Sequence, residues 1–101
     1  MPVLQLEHAI TDFDVWKQAF DSRQGWREAS GVRRHRIFRP VDDPRYIVVD
    51  LEFDTTTEAE SFEAALQELW RSRQATPALS GAPPRTRFVE AVASVEYAAA
   101  R

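Results

Sequence analysis

Histidines and strand carboxylates are the residues of this chain whose types and spacing best suit proton chemistry. His8 and His35 are its two histidines, and imidazole exchanges protons near neutral pH. Asp50 and Glu52 lie two residues apart, on one face of a predicted strand and with Cα atoms roughly 7 Å apart. Enclosing the two carboxylates together would let one of them hold a proton and act as a general base. His8 and Asp50 are therefore our candidate catalytic residues.

Each of these residues also has a purely structural interpretation. His8 stands at the end of a predicted strand, on its apolar side, where it can hydrogen bond to a neighbouring backbone group. Arg34 and Arg36 on an adjacent strand can neutralise Asp50 and Glu52 without any chemistry. The sequence leaves both alternatives open.

Aromatic and polar side chains near the predicted surface are the candidates for ligand binding. Trp26 and Trp70 flank the apolar stripes of two predicted helices, which suits the edge of a pocket. Tyr46, Arg34 and Glu52 offer polar contacts on the strands. No metal site is predicted, because the chain has two histidines, no cysteine and no carboxylate spacing that demands a metal.

The composition argues against several classes of protein. Without cysteine, the chain has no disulfide, no thiolate zinc site and no cysteine nucleophile. Its formal net charge of −3 argues against binding to nucleic acid or to an anionic membrane. The N-terminus has no signal-peptide pattern, and no apolar run approaches the roughly 20 residues of a membrane span. We therefore expect a cytoplasmic protein.

One strand organises the predicted fold. Residues 46–53 alternate strictly between two faces, which is the period of a half-buried strand. The apolar face consists of Ile47, Val49, Leu51 and Phe53. The other face carries Tyr46, Val48, Asp50 and Glu52. We expect helices to cover the apolar face.

The remaining elements follow the order β-α-β-β-α-β. Strands are predicted at 3–10, 32–39, 46–53 and 86–95. One helix is predicted from a cap at Thr11 or Asp12 to about Arg27 or Ala29, and a second from Asp54, with a cap at Thr55 or Thr57, to about Arg73. Residues 74–85 are predicted to form a loop with a short helical turn at 78–80. Residues 96–101 are predicted to form a disordered tail or an extension of the last strand. This order is typical of the α+β ferredoxin-like fold, a single domain whose four-stranded antiparallel sheet is covered on one face by two helices.

The second face of this sheet has no helix of its own. On this face the carboxylates of Asp50 and Glu52 would lie beside side chains of the second strand, either Arg34 with Arg36 or Arg33 with His35. Such a face is either open to water or covered by a second copy of the chain. Because it combines charges of both signs with apolar side chains, we predict a homodimer formed through the sheet face.

Several segments resemble the dimeric α/β-barrel superfamily. Residues 8–21 contain a strand-end histidine followed by Asp-aromatic-Asp-x-Trp and Phe-Asp, and the Gly31-Val32 pair, the turn at 39–44 and Phe53-Asp54 fit the same group. The likeness covers residues 4–92 and rests on caps, turns and helix anchors. It implies a homodimeric α/β barrel with a pocket in each protomer, between sheet and helices or within the shared barrel.

The superfamily includes antibiotic-biosynthesis-type monooxygenases, haem-degrading oxygenases and chlorite-dismutase-like proteins. Haem-degrading members use an axial histidine on the second helix, and this chain has none between Thr55 and Gln74. The resemblance therefore implies no haem, and no cofactor is predicted.

Two hypotheses for function follow. In the first, the chain is a small-molecule-binding homodimer and a monooxygenase-like enzyme that works without a cofactor. The residues of its pocket would be Trp26, Trp70, Tyr46, His8, Arg34, Asp50 and Glu52. In the second, it is a non-catalytic ligand-binding or dimeric interaction module. A closed apolar pocket of roughly 300 Å³ or more that reaches His8 or Asp50 favours the first. A solidly packed sheet–sheet interface with all carboxylates paired to arginines favours the second.

Overall fold

The fold is a four-stranded antiparallel sheet with helices packed on one face. The computed structural model describes residues 1–72 and 84–99. Its elements are β1 (Pro2–Ala9), α1 (Phe13–Asp21), α2 (Gln24–Ala29), β2 (Val32–Phe38), β3 (Tyr46–Phe53), α3 (Thr56–Arg71) and β4 (Arg85–Glu90). The strand order is β2-β3-β1-β4. The predicted ferredoxin-like fold is thus confirmed, and within the described residues one chain forms an open sheet and not a closed barrel.

The core lies between the sheet and the helices. Strand β3 alternates between half-buried and buried side chains along its whole length, as its period of two predicts. Phe53 is fully buried and contacts Phe62 of α3, with ring centroids 5.6 Å apart. Burial of one such side chain contributes about 1.5–3 kcal/mol, so this pair anchors α3 on the sheet.

Side-chain caps determine where two helices begin. Asp12 is the N-cap of α1, because its carboxylate accepts a hydrogen bond from the backbone N–H of Val15 at 3.0 Å. Of the two starts that the sequence allows, the structure therefore uses Asp12. Thr55 caps α3 in the same way, since its hydroxyl accepts from the backbone N–H of Glu58 at 3.1 Å.

The single helix predicted from Asp12 to about Ala29 is wrong, because the structure has two helices with a break at Ser22 and Arg23. In a continuous helix the carbonyl of Phe20 would accept from the backbone N–H of Gln24. It accepts instead from the backbone N–H of Arg23 at 3.2 Å and from Nη1 of Arg27 at 2.7 Å. A tightened last turn and a side-chain donor thus replace the helical hydrogen bond at the break between α1 and α2.

The last strand is shorter than predicted. It ends at Glu90 and not at Val95, and residues 91–99 are in neither helix nor strand. Glu90 pairs with Pro2, the first residue of β1, so beyond it the neighbouring strand offers no backbone group to pair with. The predicted loop at 74–85, its helical turn at 78–80 and the end of the tail fall wholly or partly outside the described residues.

Gly31 ends α2 in the left-handed region, with φ of +98°, as a C-terminal glycine does. A Cβ at this position would stand 2.6 Å from Oε2 of Glu58. The turn into β2 therefore needs glycine for its backbone conformation, while the end of the flexible Glu58 side chain would have to move aside for a Cβ.

Candidate functional site

A cavity lies between the sheet and the helices. Its volume is about 90 Å³, and it is partly open to solvent. The lining residues are Leu6, His8, Trp16, Ala19, Phe20, Arg23, Trp26, Arg27, Leu51, Phe62, Leu66, Leu69 and Trp70. The lining is mostly apolar with a few polar groups, as in small-molecule sites, but the volume is below the roughly 300 Å³ at which such pockets usually begin.

Aromatic rings form much of the wall. All three tryptophans of the chain, Trp16, Trp26 and Trp70, line the cavity. Trp16 stacks on Phe20 with centroids 5.0 Å apart, and Trp26 packs against Phe62 at 4.7 Å. These ring contacts pack Trp16 and Trp26 against their neighbours, and the aromatic wall suits a flat, apolar ligand.

His8 brings a titratable group to this wall. It is 5% exposed, because β1 directs it to the helix-covered face opposite Ile47. Its Nδ1 lies 3.1 Å from the carbonyl oxygen of Ala9, which can only accept, so Nδ1 carries the proton and Nε2 the free lone pair. Burial lowers the pKa of His8, more than the bond to Ala9 raises it, so the ring is neutral at pH 7. A neutral imidazole with a free Nε2 can accept a proton.

Arg27 brings a buried positive charge to the same cavity. It is 5% exposed, its guanidinium lies 3.6 Å from the centroid of the Phe20 ring, and its Nη1 donates to the Phe20 carbonyl. Burial lowers the pKa of Arg27, while Asp21 and Glu28 raise it, and the group stays protonated at neutral pH. Its Nε and Nη2 are buried and have no hydrogen-bond partner in the described structure.

Three of the residues singled out in the sequence, His8, Trp26 and Trp70, meet at this cavity. The other four, Arg34, Tyr46, Asp50 and Glu52, are on β2 and β3 and face the opposite side of the sheet. One pocket lined by all seven residues, as the first hypothesis supposed, is therefore not formed within the chain, because the sheet separates the two sets. The individual roles stay predictions.

Hydrogen bonds and ion pairs join the polar groups of the open face to one another. Arg34 binds Glu52 with two hydrogen bonds, Nε to Oε2 at 2.8 Å and Nη2 to Oε1 at 3.1 Å. Arg36 lies 3.8 Å from Asp50, which also accepts from Gln5. The second strand thus presents Arg34 and Arg36 on this face, and not the Arg33 and His35 set. This pairing matches the structural interpretation of the two carboxylates.

Tyr46 and Glu7 form a further pair on the open face. The phenol oxygen of Tyr46 donates to Oε1 of Glu7 at 2.7 Å, and this hydrogen bond raises the pKa of Tyr46. The phenol therefore stays protonated at neutral pH and acts as a hydrogen-bond donor to its own neighbour.

The sequence analysis missed Arg27, Arg23 and Phe20 as site residues. Hydropathy places an arginine at the surface, whereas the structure buries Arg27 of α2 against the Phe20 ring. The sequence signal was present but weak: a phenylalanine in one helix and an arginine seven residues later, next to a tryptophan.

His35, the second histidine, is exposed and lies outside the cavity, with its ring 5.1 Å from Phe20. Residues 1–72 and 84–99 contain no group of three or more histidine, aspartate or glutamate side chains placed to hold a metal ion. Nor does that part of the chain contain a helix with the length and apolar character to cross a membrane.

Known proteins resemble this chain in structure and not detectably in sequence. No family model and no curated protein matches it. Among solved structures, SnoaB, a cofactor-independent oxygenase from Streptomyces nogalater, matches with a TM-score of 0.71 at 10% identity, over 92% of this chain and 94% of that one. A Nitrosomonas europaea protein provisionally described as an antibiotic biosynthesis monooxygenase matches with a TM-score of 0.67 at 18% identity, over 92% and 100%.

A dimeric ferredoxin-like protein from an uncultured marine organism matches with a TM-score of 0.63 at 11% identity, over 94% of this chain and 92% of that one. At these identities the likeness shows the fold. The chain shares the ferredoxin-like fold of these monooxygenase-like and dimeric ferredoxin-like neighbours. The fold that the sequence resemblance implied is thereby confirmed.

Proposed function

We propose that this protein binds a small, flat, partly apolar molecule in the cavity between sheet and helices, and oxygenates it without a cofactor. The observation that carries the proposal is the meeting of a neutral His8 and a cationic Arg27 in one aromatic-walled cavity. The fold shared with a cofactor-independent oxygenase supports the same reaction class.

The cavity can support the first step of such a reaction. Nε2 of His8 takes the hydroxyl proton of an electron-rich phenol, which leaves a phenolate rich enough in electrons to react with O2. The positive charge of Arg27 stabilises the anion in a site of low dielectric constant. His8 is neutral before this step, as a base must be, because burial has lowered its pKa.

The remaining steps balance with O2 as the oxidant. A C–O bond forms at the ring carbon para to the phenolate oxygen, and His8 returns its proton to the resulting peroxide. The hydroperoxide then loses water, as its O–O bond and the C–H bond at the same carbon break. One oxygen atom stays in the quinone and the other leaves as water, so phenol and O2 give quinone and H2O.

We further propose a homodimer that buries the open face of the sheet. Phe38 and Val89 are exposed there, beside the Arg34–Glu52 pair. A second copy of the chain would cover these apolar groups. Its positive and negative side chains would lie opposite negative and positive side chains of the first copy. The dimeric state of a ferredoxin-like neighbour supports this arrangement. Light scattering is expected to give about twice the chain mass at micromolar concentration, and a monomer mass would contradict the dimer.

A non-catalytic binding or interaction module is the second candidate. It is favoured by the open face, where Glu52 and Asp50 are paired with arginines and have no obvious chemistry. In that case the sheet face would determine the register of the dimer, and the cavity would bind a ligand without turning it over.

Oxygen uptake with 1-naphthol as substrate separates the two candidates. We expect wild type to consume O2 and form naphthoquinone, and His8→Gln to lose most of the turnover while binding the naphthol within a few-fold of wild type. Ala19→Phe, which fills the cavity from α1, is expected to abolish binding as well.

Matched controls are His35→Gln, which changes the exposed histidine, and Asp50→Asn on the open face, both of which should turn over as wild type does. Naphthol binding that depends on Ala19 without any O2 uptake would favour the non-catalytic module. Binding unaffected by Ala19→Phe would refute the cavity as the site.

A further inference from the structure

We propose that the molecule bound in this cavity is an aromatic carboxylate, and that the guanidinium of Arg27 holds its carboxylate group. This inference rests on the proposed function, since it names the substrate class of the same cavity. The inference depends on two buried donors of the Arg27 side chain that have no partner among the described residues. It makes Arg27 a second group, beside His8, that recognises the ligand.

Arg27 is buried with most of its donors unused. Its Nη1 is fixed by the Phe20 carbonyl at 2.7 Å, whereas Nε and Nη2 are buried without a partner among the described residues. A buried charged donor that lacks a partner is costly and therefore rare in native proteins. When one occurs in a cavity wall, a ligand that supplies the missing acceptor is the simplest explanation.

The two unused donors form a matched pair. On a guanidinium, Nε–H and one N–H of Nη2 point in parallel from the same edge, and this edge binds the two oxygens of a carboxylate side by side. A phenolate or a ketone has one oxygen and would leave one of the two donors unsatisfied. The pair therefore favours a carboxylate over a group with a single oxygen.

The nearby acids do not occupy this edge. Asp21 is held by Lys17, with Nζ 2.7 Å from both carboxylate oxygens, and Glu28 accepts from Gln24 at 3.1 Å. Neither forms an ion pair with Arg27 in the part of the chain that the structure describes. No acidic side chain lines the cavity, while Arg23 adds a second positive charge.

The rest of the cavity explains why the acid is aromatic. Trp16, Trp26 and Trp70 line the space beside Arg27, and they offer flat apolar surfaces. A free inorganic anion would satisfy the guanidinium but leave these surfaces unfilled. Nε and Nη2 have almost no accessible surface, toward the cavity as well as toward bulk solvent, so a carboxylate carried by the aromatic part of the ligand reaches them when the side chains around the guanidinium shift on binding.

The test compares 2-naphthoate with 2-naphthamide, which has nearly the same shape and no charge. Tryptophan fluorescence reports binding directly, since all three tryptophans line the cavity. For wild type we expect the naphthoate to bind about 10- to 100-fold more tightly than the amide, as two charge-assisted hydrogen bonds imply.

Arg27→Lys keeps the charge and loses the paired donors, so its preference for the naphthoate should fall below about 3-fold. Arg27→Met should remove the preference entirely. Arg39→Lys is the matched control, because Arg39 stacks on Phe13 outside the cavity, and it should behave as wild type. The comparison of the two ligands on wild type needs no variant, so it stands even if an Arg27 variant fails to fold.

Equal binding of naphthoate and naphthamide to wild type would overturn the carboxylate inference and leave the cavity as the proposed site. Loss of the preference in Arg23→Lys, and not in Arg27→Lys, would keep the carboxylate as the ligand and overturn Arg27 as the group that holds it. Failure of naphthoate, naphthamide and 1-naphthol alike to bind would overturn both the inference and the proposed function.

Discussion

Acidification should destabilise this protein through His8. The unfolded chain has an ordinary histidine with a pKa near 6.5, whereas burial lowers the pKa of His8 in the folded state. Between these two pKa values the unfolded chain binds more protons than the folded one. The free energy of unfolding therefore rises with pH in this window, and stability is lost as pH falls below 6.5 toward the folded pKa.

The size of this effect has an upper limit for one group. A single histidine that is protonated only in the unfolded chain changes the free energy of unfolding by at most about 1.4 kcal/mol per pH unit. The pKa of His35 is lowered too, by burial and by the charges of Arg27 and Lys17, with Asp21 acting against them. His35 is exposed, so we expect its contribution to be the smaller one.

Urea denaturation of wild type and His8→Gln between pH 7.5 and 5.5 measures this contribution. Glutamine can keep a hydrogen bond to the Ala9 carbonyl but does not titrate. We expect the stability of wild type to fall more steeply on acidification, so that the difference between the two proteins shrinks as pH decreases. His35→Gln is the control and should follow the wild-type curve closely. Parallel curves for wild type and His8→Gln would refute the neutral, buried His8 on which the reaction depends.

Three further changes test the fold. Gly31→Ala should cost about 1–3 kcal/mol in urea denaturation, because it forces a positive φ and crowds Glu58; a neutral effect would show that the turn relaxes freely. Phe53→Ala should cost about 3–5 kcal/mol by the same measurement, since the side chain is fully buried, and a loss below 1 kcal/mol would contradict the core. Arg34→Gln should cost less than about 1 kcal/mol in protein diluted to the monomer, where Arg34 is mostly exposed, and more at concentrations where the proposed dimer buries the Arg34–Glu52 pair; an equally small loss at both concentrations would contradict the dimer.

Local patterns predicted most of the fold because their causes are local. The alternation of Tyr46–Phe53 gave the central strand with its bounds, and the caps at Asp12 and Thr55 gave the starts of two helices. The break after Asp21 was not predictable in this way, since it depends on a tertiary hydrogen bond from Arg27 to Phe20. The end of the last strand at Glu90 depends on where β1 begins.

The site was predicted in part, and for a similar reason. His8, Trp26 and Trp70 lie on or beside the apolar faces of a strand and two helices. Such residues line the edge of a cavity where the apolar faces of sheet and helices pack together. Strand parity alone separates His8 from Asp50, because His8 shares its face with Leu4 and Leu6 whereas Asp50 faces away from the apolar side of β3. Arg27 was missed because the burial of a charge follows from no periodic pattern.

The central claim is that ligands bind in the cavity under the helices and not on the open face of the sheet. A nitrogen–proton NMR spectrum titrated with 2-naphthoate tests it most directly, since the indole N–H signals of Trp16, Trp26 and Trp70 all report on the cavity. We predict that these indole signals shift together with saturation, while the backbone amides of Arg34 and Asp50 stay in place. Saturable shifts at Arg34 and Asp50 with unmoved indole signals would contradict the claim.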